Sequence, residues 1–259
     1  MDQSNGFGRQ VAAELDDTLL SGSEGDRVRV LAHRGSPAPG RPENSAAAVT
    51  EALLQGADGV EIDVRLTAEG TLVCSHDPID RLDAAGRASI ATLAEVLAAA
   101  QRFSGTRVVV EAKPVAGADL AARTAHALAE VLRTAAGSAA ITVSSFDPVL
   151  LAAIRAACAD LPVRTALLGD KTDSVEDVVR RAAEGGHDEV HLPLVGVRRL
   201  PQVVERAHSL GMAVALWTVN RRPALQWVAE LGADAVITDD VLTAWSELDR
   251  VVLPELIAA

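Results

Sequence analysis

The 259-residue chain reads as a closed (β/α)8 barrel of the TIM type, and three observations carry that reading. From Val28 onward, short apolar runs rich in valine and isoleucine alternate with segments of helical periodicity. Setting aside one return arm, eight strand-and-helix units follow one another in roughly 230 residues, a length that suits a closed parallel barrel better than an open doubly wound sheet. The side chains able to do chemistry gather at or just past the C-terminal ends of the apolar runs, where barrel active sites lie. They are His33, Glu61, Asp63, Glu111, Lys113, Ser145, Trp217, Asn220 and Asp239.

In chain order, residues 1–27 are polar and acidic and read as a flexible arm with a short helix over 11–20, leaving 28–259 as the barrel. The run 28–32 is the first strand and delivers His33 and Arg34 to its end, where Gly35 and a proline-rich loop break it. The loop closes on Glu43 and Asn44, and Asn44 reads as the N-cap of a helix over 46–55 that Gly56 terminates. The next strand, 59–67, carries Glu61 and Asp63 on one side, since alternate strand residues share a face. A turn at Glu69 and Gly70 sends 72–75 back as a hairpin arm. Centred between those two residues, it sets His76 opposite Asp63. With the first strand alongside, His33 arrives at the same end.

After Asp77 a polar connection, PIDRLDAAGRAS, leads to a helix over 90–101, where Thr92 and Glu95 have capping-box spacing. A strand over 107–112 then delivers Glu111 and Lys113. Regular alternation follows: helices over 120–134, 148–159, 174–183, 201–210, 222–231 and 241–248, with strands over 140–146, 162–168, 189–192, 212–219 and 233–238.

Composition bounds the function. With 49% hydrophobic and 23% charged residues the chain is globular, and its net charge of -12 argues against nucleic-acid binding through a basic surface and against anionic membranes. A phosphate-bearing ligand therefore needs local positive charge. No run reaches membrane-spanning length, and the first 27 residues lack a basic segment followed by an apolar core, so neither membrane insertion nor a secretory signal is read and a cytoplasmic location is expected. Cys74 and Cys158 have no disulfide or metal-type spacing and read as buried thiols.

The same stretches carry a resemblance. His33, Arg34 and Gly35 with Pro42, Glu43 and Asn44, then GADGVEIDVRLTAEGTLVCSHD, VVVEAKP, VSSFDP, LWTVN and GADAVITD, occur in the order found in glycerophosphodiester phosphodiesterases, and the chain resembles that family over most of its length. The resemblance implies that Glu61, Asp63 and Glu111 hold a divalent metal and that His33 and His76 act as general acid and base. Arg34 and Lys113 would contact phosphate, with Glu43 supporting the site. It implies hydrolysis of a small glycerophosphodiester to an alcohol and glycerol 3-phosphate. The connection from His76 to Glu111 is shorter than in many members, which marks a shortened insertion after the hairpin and a less roofed pocket.

The residue chemistry is compatible. Acid and base groups alone supply about 10² to 10⁴-fold, too little for a diester that resists nucleophiles, so charge must be neutralised as well. Three carboxylates form a hard oxygen site suited to Mg²⁺ or Ca²⁺. Arg34 can grip a phosphate oxygen in bidentate fashion, Lys113 adds a point charge, and Trp217 offers an apolar wall to the alcohol. Plainer roles compete: Glu111 pairing with Lys113, Trp217 filling core, and Ser145, Asn220 and Asp239 as hydrogen-bonding groups of the barrel mouth. Among the other histidines, His126 and His208 fall on helices, His187 follows a glycine pair, and only His191 has a strand position that can face the mouth. Two further functions are open. One is phospholipase D-like chemistry on lysophospholipids, which an aromatic content of 2% without tyrosine disfavours; the other is a non-catalytic barrel for phosphorylated ligands, which the paired histidines and three acids disfavour.

Overall fold

Eight parallel strands close into a ring in the computed structural model, which describes residues 27–135 and 139–248. They are β1 (Arg29–His33), β2 (Gly59–Leu66), β4 (Arg107–Ala112), β5 (Ala140–Ser145), β6 (Val163–Leu168), β7 (Glu189–Pro193), β8 (Ala213–Trp217) and β9 (Ala235–Thr238), while β3 (Leu72–Cys74) returns antiparallel along β2. Pairing of β1 with both β2 and β9 shuts the ring. The (β/α)8 barrel with a hairpin extension after the second strand is thus present. The helix expected over 11–20 lies outside the described residues, and no described helix is long and apolar enough to cross a membrane.

Around the ring lie α1 (Ala46–Leu54), α2 (Ala84–Ser89), α3 (Leu93–Ala100), α4 (Ala118–Thr134), α5 (Pro148–Ala157), α6 (Val175–Glu184), α7 (Leu194–Val197), α8 (Val203–Ser209), α9 (Arg222–Leu231) and α10 (Val241–Glu247). Local chemistry sets their ends. Thr92 and Glu95 form the expected capping box on α3, Asp147 caps α5 ahead of Pro148, and Gly232 closes α9 in the left-handed conformation. On α4, Ala121, Ala125, Leu128 and Leu132 recur at helical spacing and face the sheet.

Strand alternation sorts the interior. Leu31, Val109, Ala215, Ala235 and Ile237 form a small cluster inside the ring, whereas Val30, Ala32, Val60, Ile62, Val108 and Val110 point outward into the large core shared with the helices. Continuing the inward parity upward reaches His33, Glu61, Asp63, Glu111 and Lys113; continuing it downward reaches Arg29, Arg107 and Glu189. One end of the barrel is therefore rich in carboxylates and the other in arginines.

Three local expectations are corrected. Pairing of Val64 with Cys74, Arg65 with Val73 and Leu66 with Leu72 centres the hairpin on Glu69, so Ser75 and not His76 stands opposite Asp63, its N–H donating to the Asp63 carbonyl at 3.1 Å. The cause is the turn: Thr67 and Thr71 close a loop of three residues whose last, Gly70, has φ +89°. Ser45 is the N-cap of α1, accepting from the N–H of Ala48, while Asn44 sits at φ +58° and is used elsewhere. The stretch expected as plain connection contains a 3₁₀ turn, Ile79–Arg81, and the short α2, capped by Asp83. Cys74 and Cys158 are buried free thiols, and burial near Asp63 and Glu95 pushes Cys74 up to about 12.

Candidate active site

At the end of β1 the chain turns through three consecutive left-handed residues, Arg34 (φ 51°), Gly35 (φ 75°) and Ser36 (φ 57°). A Cβ at position 35 would lie 2.9 Å from the main-chain nitrogen of Val49 on α1, so only glycine lets the turn press against that helix. The turn holds His33 and Arg34 at the rim. His33 Nδ1 is 2.6 Å from Asp239 Oδ1. The hydrogen bond to His33 holds the Asp239 carboxyl below the usual range, with Asn220 and Arg34 adding to it against partial burial. An ionised Asp239 accepts, so Nδ1 carries the proton and Nε2, 4.0 Å from Glu61 Oε2, faces the cavity. Asn220 fixes Asp239 in turn. Its Oδ1 accepts from the Asp239 N–H at 2.9 Å and from Thr238 Oγ1 at 3.0 Å, and its Nδ2 donates to Asp239 Oδ2 at 2.5 Å.

Strand register assembles the acids. Glu61 is paired with His33 across β1 and β2, and Asp63 with Glu111 across β2 and β4. All three carboxylates are buried, and one oxygen from each lies within 4.8 Å of the others. Burial, together with the charges of Asp63 and Glu111, pushes Glu61 well above its ordinary value; burial likewise raises Glu111. Asp63 goes the other way. Although burial opposes its ionisation, Lys113, the Asn44 amide and Arg34 outweigh that cost and lower it.

Lys113 Nζ bridges Asp63 at 2.5 Å and Glu111 at 2.6 Å. Arg34 extends between Asp63, at 3.3 Å, and Glu43, at 2.8 Å. Burial disfavours both cations, but Glu111 and Asp63 raise Lys113, and Glu43 with Asp63 raises Arg34, so both remain charged. Three buried carboxylates facing one ammonium and one guanidinium leave a net negative cage, and an all-oxygen donor set with an acid driven toward its neutral form suits a hard dication.

His76 enters from beyond β3. Arg65 donates to its main-chain carbonyl from Nε at 3.2 Å and Nη2 at 2.7 Å, and its Nδ1 lies 3.1 Å from Asp77 Oδ1. A cavity of about 440 Å³ brings together His33, Arg34, Glu61, Asp63, His76, Glu111, Lys113 and Trp217. Glu43 stays at the rim and reaches the site through Arg34. Trp217 packs edge-on against Phe146 with ring centroids 5.8 Å apart, and Lys171 Nζ lies 5.7 Å from the Trp217 ring centroid.

Ser145 serves the framework, donating to the Ala112 carbonyl at 2.7 Å. His191 does face inward, fully buried, with Nε2 3.3 Å from Glu189. Sequence reasoning missed Asn44, whose side chain accepts from the Asp63 N–H and donates to its carboxylate, both at 2.9 Å. It also missed Arg65, Lys171 and Phe146, and it left Asp239 undistinguished. For Asp239 a signal existed, an acid just past the last strand that closes against the first. For Lys171, on an exposed loop, there was none.

Comparisons with known proteins point to one family. A model described as the glycerophosphoryl diester phosphodiesterase family matches residues 33–108 and 79–243. The probable glycerophosphodiester phosphodiesterase 1 of Mycobacterium tuberculosis is 33% identical over 244 residues, covering 78% of this chain and 86% of that protein. The glycerophosphodiester phosphodiesterase of Caldanaerobacter subterraneus is 26% identical, covering 83% and 95%. Among solved structures, the Thermotoga maritima glycerophosphodiester phosphodiesterase superposes with a TM-score of 0.66 at 27% identity, covering 83% of this chain and 96% of that one. An Oleispira antarctica phosphodiesterase in complex with the product sn-glycerol-3-phosphate gives 0.73 at 24% identity, covering 86% and 97%.

Proposed function

The chain belongs to the glycerophosphoryl diester phosphodiesterase family and is a hydrolase of that activity; from this premise we propose that residues 28–259 cleave small glycerophosphodiesters to an alcohol and glycerol 3-phosphate, using His33 and His76 as general acid and base beside a divalent-cation site of Glu61, Asp63 and Glu111. The observation that carries the reading is the convergence of both histidines, the three acids, Arg34 and Lys113 on one cavity. The glycerol 3-phosphate bound by the Oleispira enzyme supports the product assignment.

A phosphodiester brings one negative charge into a cavity already overloaded with carboxylates. Glu61, Asp63 and Glu111 would hold a divalent cation, Mg²⁺ or Ca²⁺, which would supply the positive charge to offset this repulsion and Lewis acidity toward the phosphate. Lys113, which bridges Asp63 and Glu111, would then have donors to spare for phosphate, and Arg34, held between Glu43 and Asp63, offers its remaining N–H edge. His33 presents Nε2 to the reacting centre because Asp239 occupies Nδ1. One histidine takes the proton of the attacking hydroxyl while the other gives one to the leaving alcohol, and the same pair serves whether the attack comes from water or from the neighbouring glycerol hydroxyl. Trp217 and Phe146 form the apolar wall beside the alcohol.

The test is release of glycerol 3-phosphate from a panel of glycerophosphodiesters with Mg²⁺, Ca²⁺ or Mn²⁺, alongside EDTA and a His33→Ala variant. Turnover is expected, and it is expected to vanish in both controls. Turnover that survives chelation removes the cation from the reading; none with any diester and metal overturns the substrate assignment.

A further inference from the structure

The floor of the barrel, at the opposite end from the active cavity, holds a second cavity of about 460 Å³. Arg27, Arg29, Arg107 and Arg164 line it, with Asp234 and small residues such as Ala213 opposite. In a chain of net charge -12, four guanidinium groups around one hollow are a local reversal of sign.

The nearby carboxylates balance them only in part. Arg27 is paired with Asp58 at 3.0 Å. Asp234 already accepts from His208 Nε2 at 2.8 Å and from the Val214 N–H at 2.7 Å. Arg29, Arg107 and Arg164 are left to two carboxylates, Asp234 and the buried Glu189, whose Oε1 takes Arg107, Arg164 at 3.1 Å and the Thr142 hydroxyl at 3.0 Å. Arg107 Nε is buried without a hydrogen-bond partner, and among the described residues Arg29 makes no side-chain hydrogen bond or ion pair. Burial lowers Arg107, and although Glu189 and, more weakly, Asp234 oppose this, Arg164 and Arg29 lower it further, as expected of like charges brought together.

We propose that this floor is an oxyanion site for a phosphate monoester or inorganic phosphate, bound by Arg29, Arg107 and Arg164. Guanidinium N–H groups match the tetrahedral oxyanion in bidentate fashion, and an anion offsets the positive charge that Glu189 and Asp234 leave uncompensated. The site is separate from the catalytic one: along β4, Arg107 stands four residues before Glu111, about 13 Å at strand rise.

Arg29 is the position to test, because nothing described leans on its side chain. Inorganic phosphate, sulfate and glycerol 3-phosphate are each titrated calorimetrically into the full chain in EDTA. The variants are Arg29→Gln, Arg29→Lys and, as an active-site control, Arg34→Gln. Saturable phosphate binding is expected in the wild type and in Arg34→Gln alike. It is expected to weaken at least about tenfold in Arg29→Gln, largely return in Arg29→Lys, and fall with added NaCl, while turnover in Arg29→Gln stays at the wild-type level. Stronger binding of glycerol 3-phosphate than of sulfate identifies the ligand as a monoester; equal binding identifies a general oxyanion pocket. Absence of saturable binding at millimolar phosphate, loss of binding in Arg34→Gln, or undiminished binding in Arg29→Gln overturns the proposal and leaves the arginines as a structural ion network.

Discussion

Replacing Asp239 by Asn tests whether His33 works through Nε2. The native contact is a charge-assisted hydrogen bond of 2.6 Å with the Asp239 side chain 48% exposed. Such bonds contribute about 1.5–3 kcal/mol, and exposure places this one near the lower end, so loss of the charge alone predicts a drop in kcat of about 10–30-fold. A second effect follows from Asn220. Its carbonyl is committed to the Asp239 N–H and to Thr238, which leaves its amide N–H₂ pointing at Oδ2 of residue 239. In Asp239→Asn the introduced carbonyl must face Asn220, and the introduced N–H₂ must face His33 Nδ1. Neutral His33 is then driven to carry its proton on Nε2, the wrong tautomer for a nitrogen that must accept a proton once in each turnover, either as the base or when the acid is reprotonated. Asp239→Ala removes the charge without imposing that tautomer. The expected order of kcat is therefore wild type, then Asp239→Ala, then Asp239→Asn, with KM unchanged within about twofold. Initial rates of glycerol 3-phosphate release at saturating metal give the order. If Asp239→Asn retains wild-type kcat, or exceeds Asp239→Ala, the orienting role is refuted.

Other perturbations have equally definite outcomes. Asn44→Ala strips Asp63 of two hydrogen bonds, one to its carboxylate and one from its main-chain N–H, at a side chain that is 2% exposed; urea unfolding should show a loss of about 1–3 kcal/mol, and cation titration a weakening of about 10–100-fold. Glu189 is held down at about 2 against an ordinary 4.5, because the hydrogen bond from His191 and the charges of His191, Arg107 and Arg164 overcome burial. Its folded value is depressed, so its stabilisation, about 3 kcal/mol, is present above pH ~4.5 and lost as pH falls toward 2. Urea midpoints between pH 5 and pH 3 should drop in the wild type, and this part of the drop should be missing in Glu189→Gln. Leu128→Ala, in the fully buried face of α4, should cost about 2–5 kcal/mol in urea unfolding with kcat intact.

The alternation of apolar runs and helical segments made the barrel legible, because strand and helix periods differ and each unit here is long enough to show its own. The boundaries of β4 and α9 and the capping box at Thr92 were readable residue by residue, since each rests on local chemistry. Legibility failed where a one-residue choice depended on tertiary contacts. Glu69 and Gly70 announce a turn, but only the Thr67–Thr71 closure selects a three-residue loop, and that choice moves Ser75 into the place expected for His76. Asn44 has the chemistry of an N-cap, and so does Ser45; what assigns the cap to Ser45 is Asp63, nineteen residues away, claiming the Asn44 amide. The hydrophobic pattern of α2 is too short to register against its glycine. Parity along β7 gave His191 a strand face, yet nothing in the sequence said which face was inside; the inward parity shared by Val109, Ala215 and Ile237 does.

His33 and Asp239 stand 206 positions apart, at the end of the first strand of the ring and just past the last. The acid cluster, by contrast, comes from two neighbouring strands in the first half of the chain. The two halves of the site thus mature at different moments of synthesis. On the proposed reading, a nascent chain that has docked β4 on β2 would already own its carboxylate cage and hold a cation, but would stay silent toward diesters until β9 arrives and seals the seam. Turnover is in this sense a coincidence detector for the two ends of the barrel, and any nick or late-folding event that leaves β9 undocked separates cation retention from activity.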